Sequence, residues 1–215
     1  MVRHAYEKHI VFPYDYLVLF WLSQLLQPGL RVFDLRGNVG TSYFAFQTIL
    51  PFPGALDWLV QDVPTVVDAG RALPANHPSL RFTGSMDGLA VCDILLFAGA
   101  MHFISDPFGI IGVSRKSLPR YILLNKVPVY DQPNAASLMN FGHGFSAQHL
   151  FNRAEFEAPF MGLGYAIVDR WETPGLGCFH PIQPVAFNPS LHWLVSHSRS
   201  SWLRSARWPH VAIRT

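Results

Sequence analysis

Asp34 and Asp62 are the residues from which chemistry can first be argued. Each closes an apolar run, RVFDL and LDWLVQD, and the first leads into Arg36-Gly37-Asn38-Val39-Gly40. Where such runs are parallel strands, their carboxyl ends carry ligands. Gly37 and Gly40 can turn tightly and let a ligand approach the backbone, and Asn38 tolerates left-handed geometry. The N–H groups opening the next helix favour a carboxylate or a phosphate. Asp62 can accept hydrogen bonds from both hydroxyls of a ribose, or it can cap the turn before Pro64.

Two ribose-bearing cofactors fit an acid at this place: a dinucleotide and S-adenosylmethionine. The loop has no complete G-x-G-x-x-G, and Gly37 with Gly40 makes a poor pyrophosphate cradle. A carboxylate at Asp34 attracts an ammonium group and repels a phosphate, which favours S-adenosylmethionine. Arg36 stands where such loops carry their first glycine. A positive φ there would cost about 1 kcal/mol; turned outward, its guanidinium could pair with Asp34 or with a ligand carboxylate. His102, in MHFISDP, follows the fourth apolar run. A neutral imidazole there can take the proton of an acceptor hydroxyl as it is methylated, or only shape the pocket. Asn125, Lys126 and Asp131 either line an acceptor or solvate a loop, and loop solvation is the preferred reading. Asn140, His143 and His149 lie in a connection that could cover the pocket. No histidine pair has metal-ligand spacing, so no metal is expected.

The elements needed to position these groups are legible. YLVLFWLSQLL is too short to span a membrane. Val18, Trp21, Leu22 and Leu25 recur at helical spacing, so a helix over about 14–27 is expected to pack on the domain until Pro28-Gly29 stops it. RVFDL, LDWLVQD, LRFTG, VCDILLFAG and RYILLNKV read as strands. TSYFAFQTIL, PTVVDAGRAL and DPFGIIGVS read as helices between them. This alternation predicts an α/β fold, a doubly wound, mostly parallel sheet covered on both faces. Residues 126–150 form a long connection. Asn152 caps a helix with Glu155 in a box-like pattern. YAIVDRWE is a sixth strand and PVAF a seventh, antiparallel to it. From about His192 the periodicity fades, so the single domain is expected over 1–191, with 192–215 a basic, poorly ordered tail.

Half of the 215 residues are apolar and 14% are charged, which excludes a largely disordered chain. Cys92 and Cys178 form no CxxC motif, in keeping with a reduced, cytoplasmic setting. The net charge is +2, yet Arg199, Arg204, Arg207 and Arg214 all follow the last acid, Glu172. Four arginines with Trp202 and Trp208 are too sparse for nucleic-acid binding to be expected.

VFDLRGNVG, QDVPTVVDAGRAL, FAGAMHFISDP, LLNKVPVYD and FNRAEFEAPFMGLGYAIVDRWE together resemble the class I S-adenosylmethionine-dependent methyltransferases. More narrowly they are similar to a methyltransferase family with a DLGGNVG-type loop and to small-molecule O-methyltransferases. The resemblance runs from about Leu17 to Trp171. It implies a Rossmann-like, seven-stranded sheet with an antiparallel last strand. It implies that Asp34, Gly37, Asn38 and Gly40 hold the methionine end, that Asp62 takes the ribose, and that Val63 packs on adenine. It places Ser85 and Met86 at the adenine edge and face, Ala98 and Gly99 at the pocket floor, and His102 as general base. The implied reaction is methyl transfer to a hydroxyl of a small molecule or glycan. Arg36 for a glycine and Ser85 for an acid depart from the family pattern and weaken cofactor binding. A non-catalytic protein of this fold is one alternative, and an NAD(P)-dependent oxidoreductase another.

Overall fold

The apolar runs that read as strands are strands in the computed structural model, which describes residues 10–73, 77–113, 118–142, 144–173 and 190–197. After a short turn at Pro13–Asp15, helix α1 spans Tyr16–Leu25 and β1 Arg31–Leu35. Then follow α2 (Thr41–Phe46), β2 (Asp57–Gln61), α3 (Pro64–Arg71), β3 (Leu80–Thr83), β4 (Ile94–Ala98) and α4 (Pro107–Val113). The chain continues through β5 (Tyr121–Val127), β6 (Val129–Tyr130), β7 (Ala135–Asn140), β8 (Phe145–Asn152), α5 (Ala158–Gly162), β9 (Tyr165–Thr173) and β10 (Ser190–His197).

Seven strands form one sheet in the order β3-β2-β1-β4-β5-β10-β9. The first five are parallel; β10 runs antiparallel to both β5 and β9. This is the expected α/β, Rossmann-like sheet with an antiparallel last strand. The strand order reverses at β1, so the crevice between the tips of β1 and β4 is the switch point at which such sheets bind ligands.

Alternate residues of each strand enter opposite cores. On one face Val32, Trp58, Val60, Ile94, Leu96 and Leu194 pack with α1 and α2. On the other, Phe33, Leu95, Phe97, Ile122, Trp193 and Val195 pack with Ile111, Phe156 and Phe160. Each fully buried side chain of this size contributes roughly 1.5–3 kcal/mol. The α1 stripe is buried as its spacing predicts, and Trp21 Nε1 donates to Asp169 Oδ2 at 2.9 Å, tying α1 to β9. Among the described residues no helix is long and apolar enough to cross a membrane.

Three expectations are corrected. Residues 192–197 are not tail but part of β10, with Trp193, Leu194, Val195 and Ser196 buried, so the boundary set at 191 cuts through a strand. The long connection is a hairpin: β7 pairs with β8 from Ala135↔Leu150 to Asn140↔Phe145, and β6 adds a third strand beside β8. The helix expected from Asn152 begins only at Ala158. Asn152 Oδ1 does accept the Glu155 N–H at 3.0 Å, but the Glu155 carboxylate takes Asn134 Nδ2 instead of closing a box. The PVAF strand and the tail beyond residue 197 lie outside the described residues.

Candidate functional site

The chain turns sharply as it leaves β1. Arg36 and Asn38 both sit at φ 57° and Gly40 at φ 83°. Arg36 N–H donates to Gln61 O at 2.8 Å, carrying the β1–β2 ladder one residue past the strand. Asp62 fastens the turn: Oδ2 accepts Asn38 N–H at 2.9 Å and Oδ1 accepts Val63 N–H at 2.7 Å. Asn38 Oδ1 in turn accepts Val39 N–H at 2.8 Å. Asp62 thus ties the loop to the tip of β2 and holds Val63, the residue that leads into α3.

Asp34 lies behind this turn and is fully buried. Its Oδ2 accepts Trp58 Nε1 at 3.2 Å, while Oδ1 is buried with no hydrogen-bond partner. Gly37 covers it closely; a Cβ there would lie 2.5 Å from Asp34 Cγ. Burial pushes the Asp34 carboxyl up to about 7; the Trp58 indole opposes this, Asp62 adds to it, and Lys126 opposes it. A carboxyl whose ionisation is shifted toward neutral pH thus lies sealed beneath the turn.

The guanidinium of Arg36 does not pair with Asp34, as one sequence expectation had it. It reaches Asp62 Oδ1 at 3.5 Å, with its own side chain 45% exposed. Asp34 is sealed beneath Gly37, so a side chain starting outside the turn meets Asp62 first. At that length and exposure the pair contributes at most about 1 kcal/mol.

A second cluster sits at the tips of β4 and β5. Gly99 (φ 88°) follows Ala98, and a Cβ on it would meet Lys126 Cε at 2.7 Å. Lys126, itself at φ 60°, lays its ammonium over the Tyr14 ring, 4.8 Å from the centroid. Burial lowers its pKa, against the pull of Asp15 and Asp34. Asn125 is fully buried and donates to Asp15 Oδ1 at 2.8 Å. Burial raises the Asp15 carboxyl, with Lys126, Phe12 N–H and Asn125 opposing. The preference for Asn125 and Lys126 as loop-solvating residues is therefore overturned; Asp131, exposed and paired with Arg153 at 3.2 Å, does fit it.

His102 is 7% exposed, its ring 4.0 Å from that of Phe103 and its Nδ1 buried without a partner. Burial, then Lys126 and His149, lower its pKa to about 4, so the imidazole is uncharged near neutral pH. Of the remaining expected residues, Val63 is 37% exposed at the start of α3. Ser85 Oγ accepts Asp87 N–H at 3.1 Å, and Met86 leans on the core. Asn140 ends β7 and His149 lies on β8, while His143 is outside the described residues.

Gly37, Asn38, Gly40, Asp62 and Val63 thus form one bonded patch, with Asp34 packed beneath it. Ser85 and Met86 follow β3, Ala98 ends β4, and Gly99 and His102 follow it, all on the carboxyl side of the sheet. Two cavities of about 390 and about 460 Å³ lie beside these residues, and neither is lined by Asp34, Asp62 or His102. Among the described residues no group of three His, Cys, Asp or Glu could hold a metal ion. Sequence reasoning missed Trp58 and the roles of Tyr14 and Asp15. The only signal for the last two was a polar Asn-Lys pair within the apolar YILLNKV.

No protein-family model and no curated protein matches the chain. Solved structures do match. An S-adenosylmethionine dependent methyltransferase from Mesorhizobium loti aligns at 14% identity and TM-score 0.57, over 86% of this chain and 98% of that one. The magnesium protoporphyrin IX methyltransferase of Synechocystis, with bound S-adenosylmethionine, aligns at 15% and 0.55, over 86% and 78%. The glycopeptide N-methyltransferase MtfA, also complexed with S-adenosylmethionine, aligns at 9% and 0.53, over 83% and 91%. At these identities the likeness shows the fold.

Proposed function

We propose that this chain is an S-adenosylmethionine-dependent methyltransferase, moving a methyl group to a hydroxyl of a small molecule or glycan. The observation that carries the reading is the turn after β1. It is left-handed at Arg36, Asn38 and Gly40, closed over the buried Asp34 and fastened by Asp62 at the switch point. The residues fit such a cofactor. Asp34 Oδ1 is a buried acceptor without a partner, and with Gly37 over it only backbone separates the carboxyl from a ligand ammonium, which would feel its charge through the turn. Asp62 Oδ2 keeps acceptor capacity for a ribose hydroxyl beside its bond to Asn38. Val63, Ser85 and Met86 would flank the adenine, and Ala98 with Gly99 would floor the methionine end.

When bound, the cofactor supplies an electrophilic methyl on a sulfonium, an excellent leaving group. His102, whose buried Nδ1 has no hydrogen-bond partner, would receive the acceptor's proton. An imidazole held near 4 is a weak base, so alignment of the acceptor carries much of the rate. The Arg36–Asp62 pair favours a second reading, a protein of this fold that has lost turnover, because it engages the ribose carboxylate. Calorimetric titration with S-adenosylmethionine and S-adenosylhomocysteine tests the first reading. Binding of both is expected, and the absence of heat and of thermal stabilisation from both ends it. Binding without turnover across an acceptor panel selects the second.

A further inference from the structure

The cavity of about 460 Å³ lies between the first turn of α4, strand β8 and the turn before α5. Its volume suits a small organic molecule. Phe108, Phe151 and Phe156 line it, with the Phe108 centroid 6.1 Å from Phe151 and 5.8 Å from Phe156, in edge-to-face arrangements that turn π-faces in several directions. Asp106 and Glu155 also line it, and both are held in place. Asp106 Oδ1 accepts Gly109 N–H at 2.8 Å, and Glu155 Oε2 accepts Asn134 Nδ2 at 3.2 Å. Among the described residues no lysine or arginine lines the cavity. Aromatic faces and carboxylates without a competing cation make an environment for an organic cation, held by ring quadrupoles and by charge. The cavity also adjoins the candidate base: Ser105 and Asp106 leave the turn Met101–Phe103 directly, and β8, which carries the lining residue His149, packs on that turn.

We propose that this cavity binds an organic amine carried on a flat apolar or aromatic body, its ring against Phe108 and Phe151 and its ammonium toward Asp106 and Glu155. Resting on the methyl-transfer reading, this amine-bearing molecule is the acceptor, presenting its hydroxyl toward His102.

Three indoles of one shape and different charge test it: tryptamine, tryptophol and indole-3-acetate. Binding is read by ligand-observed NMR, with and without S-adenosylhomocysteine, on the natural protein, Glu155→Gln and Asp106→Asn. Both variants keep the shape and an acceptor oxygen. Tryptamine should bind about tenfold tighter than tryptophol, indole-3-acetate should bind weakest, and each variant should erase much of the preference. Equal binding of the three indoles, preference for the acid, or a tryptamine preference surviving in both variants overturns the proposal. If Asp106→Asn fails to fold, Glu155→Gln decides alone. Tryptamine binding in a protein that ignores S-adenosylhomocysteine would keep the amine site and remove only its role as acceptor site.

Discussion

Arg36→Gly removes a charge and a strained backbone position together, and the two effects are read by different assays. Arg36 holds φ 57°, and relieving a left-handed L-residue gains roughly 1–2 kcal/mol. Glycine's freedom in the unfolded chain takes back about 0.5–1 kcal/mol. Loss of the Asp62 pair, 3.5 Å long with Arg36 45% exposed, removes less than about 1 kcal/mol. Urea melts should therefore place the variant within about 1 kcal/mol of the natural protein. Affinity responds to the pair alone. With the guanidinium gone, Asp62 keeps only its bonds from Asn38 and Val63 N–H, and S-adenosylmethionine should bind about two- to fivefold tighter. Salt gives the control: raising sodium chloride from about 20 to about 300 mM screens the pair in the natural protein, so the gap should narrow. Calorimetry at both salts reads this. A variant binding more than about tenfold weaker refutes the reasoning, because Arg36 would then grip the ligand instead of covering Asp62.

Other expectations follow from the same geometry. The Asp34 carboxyl keeps its proton in the folded chain up to about 7, against 3.8 unfolded, so its contribution is full below pH 4 and lost as pH rises through 7. That is a fall of up to roughly 4 kcal/mol, which Asp34→Asn should flatten in pH-dependent melts; equal slopes in both proteins would remove the assignment. His102 acts in the opposite sense: with its pKa lowered from 6.5 to about 4, its contribution is full above pH 6.5 and lost as pH falls through 4. The loss is up to roughly 3 kcal/mol, should vanish in His102→Gln, and is checked by the same melts. Gly37→Ala, whose Cβ would sit 2.5 Å from Asp34 Cγ, should cost about 1–3 kcal/mol of stability and eliminate cofactor heat. A stable, binding Gly37→Ala protein would show that the turn has slack.

The parallel half of the sheet was legible because strands buried on both faces read as unbroken apolar runs; ILLFA and YILLN are examples. β10 is buried on both faces too, but His192 and the buried Ser196 interrupt its run and arginines follow, so it read as tail. The hairpin was illegible for a different reason: Ala, Ser, Asn and Gln dominate β7 and much of β8, and β7 stands in solvent. At the site, local spacing marked Asp34, Asp62 and the glycines. It could not show that Asp15 meets Asn125 across the chain, or that Trp58 donates to Asp34. Those depend on strand register and on the docking of the N-terminal turn. Arg36 was seen as anomalous, but its partner followed from the depth of Asp34, which spacing does not encode.

The place of β10 has a consequence for biosynthesis. It sits between β5 and β9, yet it is translated after both. Until residue 197 clears the ribosome, the nascent chain carries two raw strand edges facing a gap, one of them the deeply apolar Tyr121–Val127. Open edges of that kind invite intermolecular pairing. Of the described strand registers, the one translated last is therefore the one that shields these two edges from aggregation.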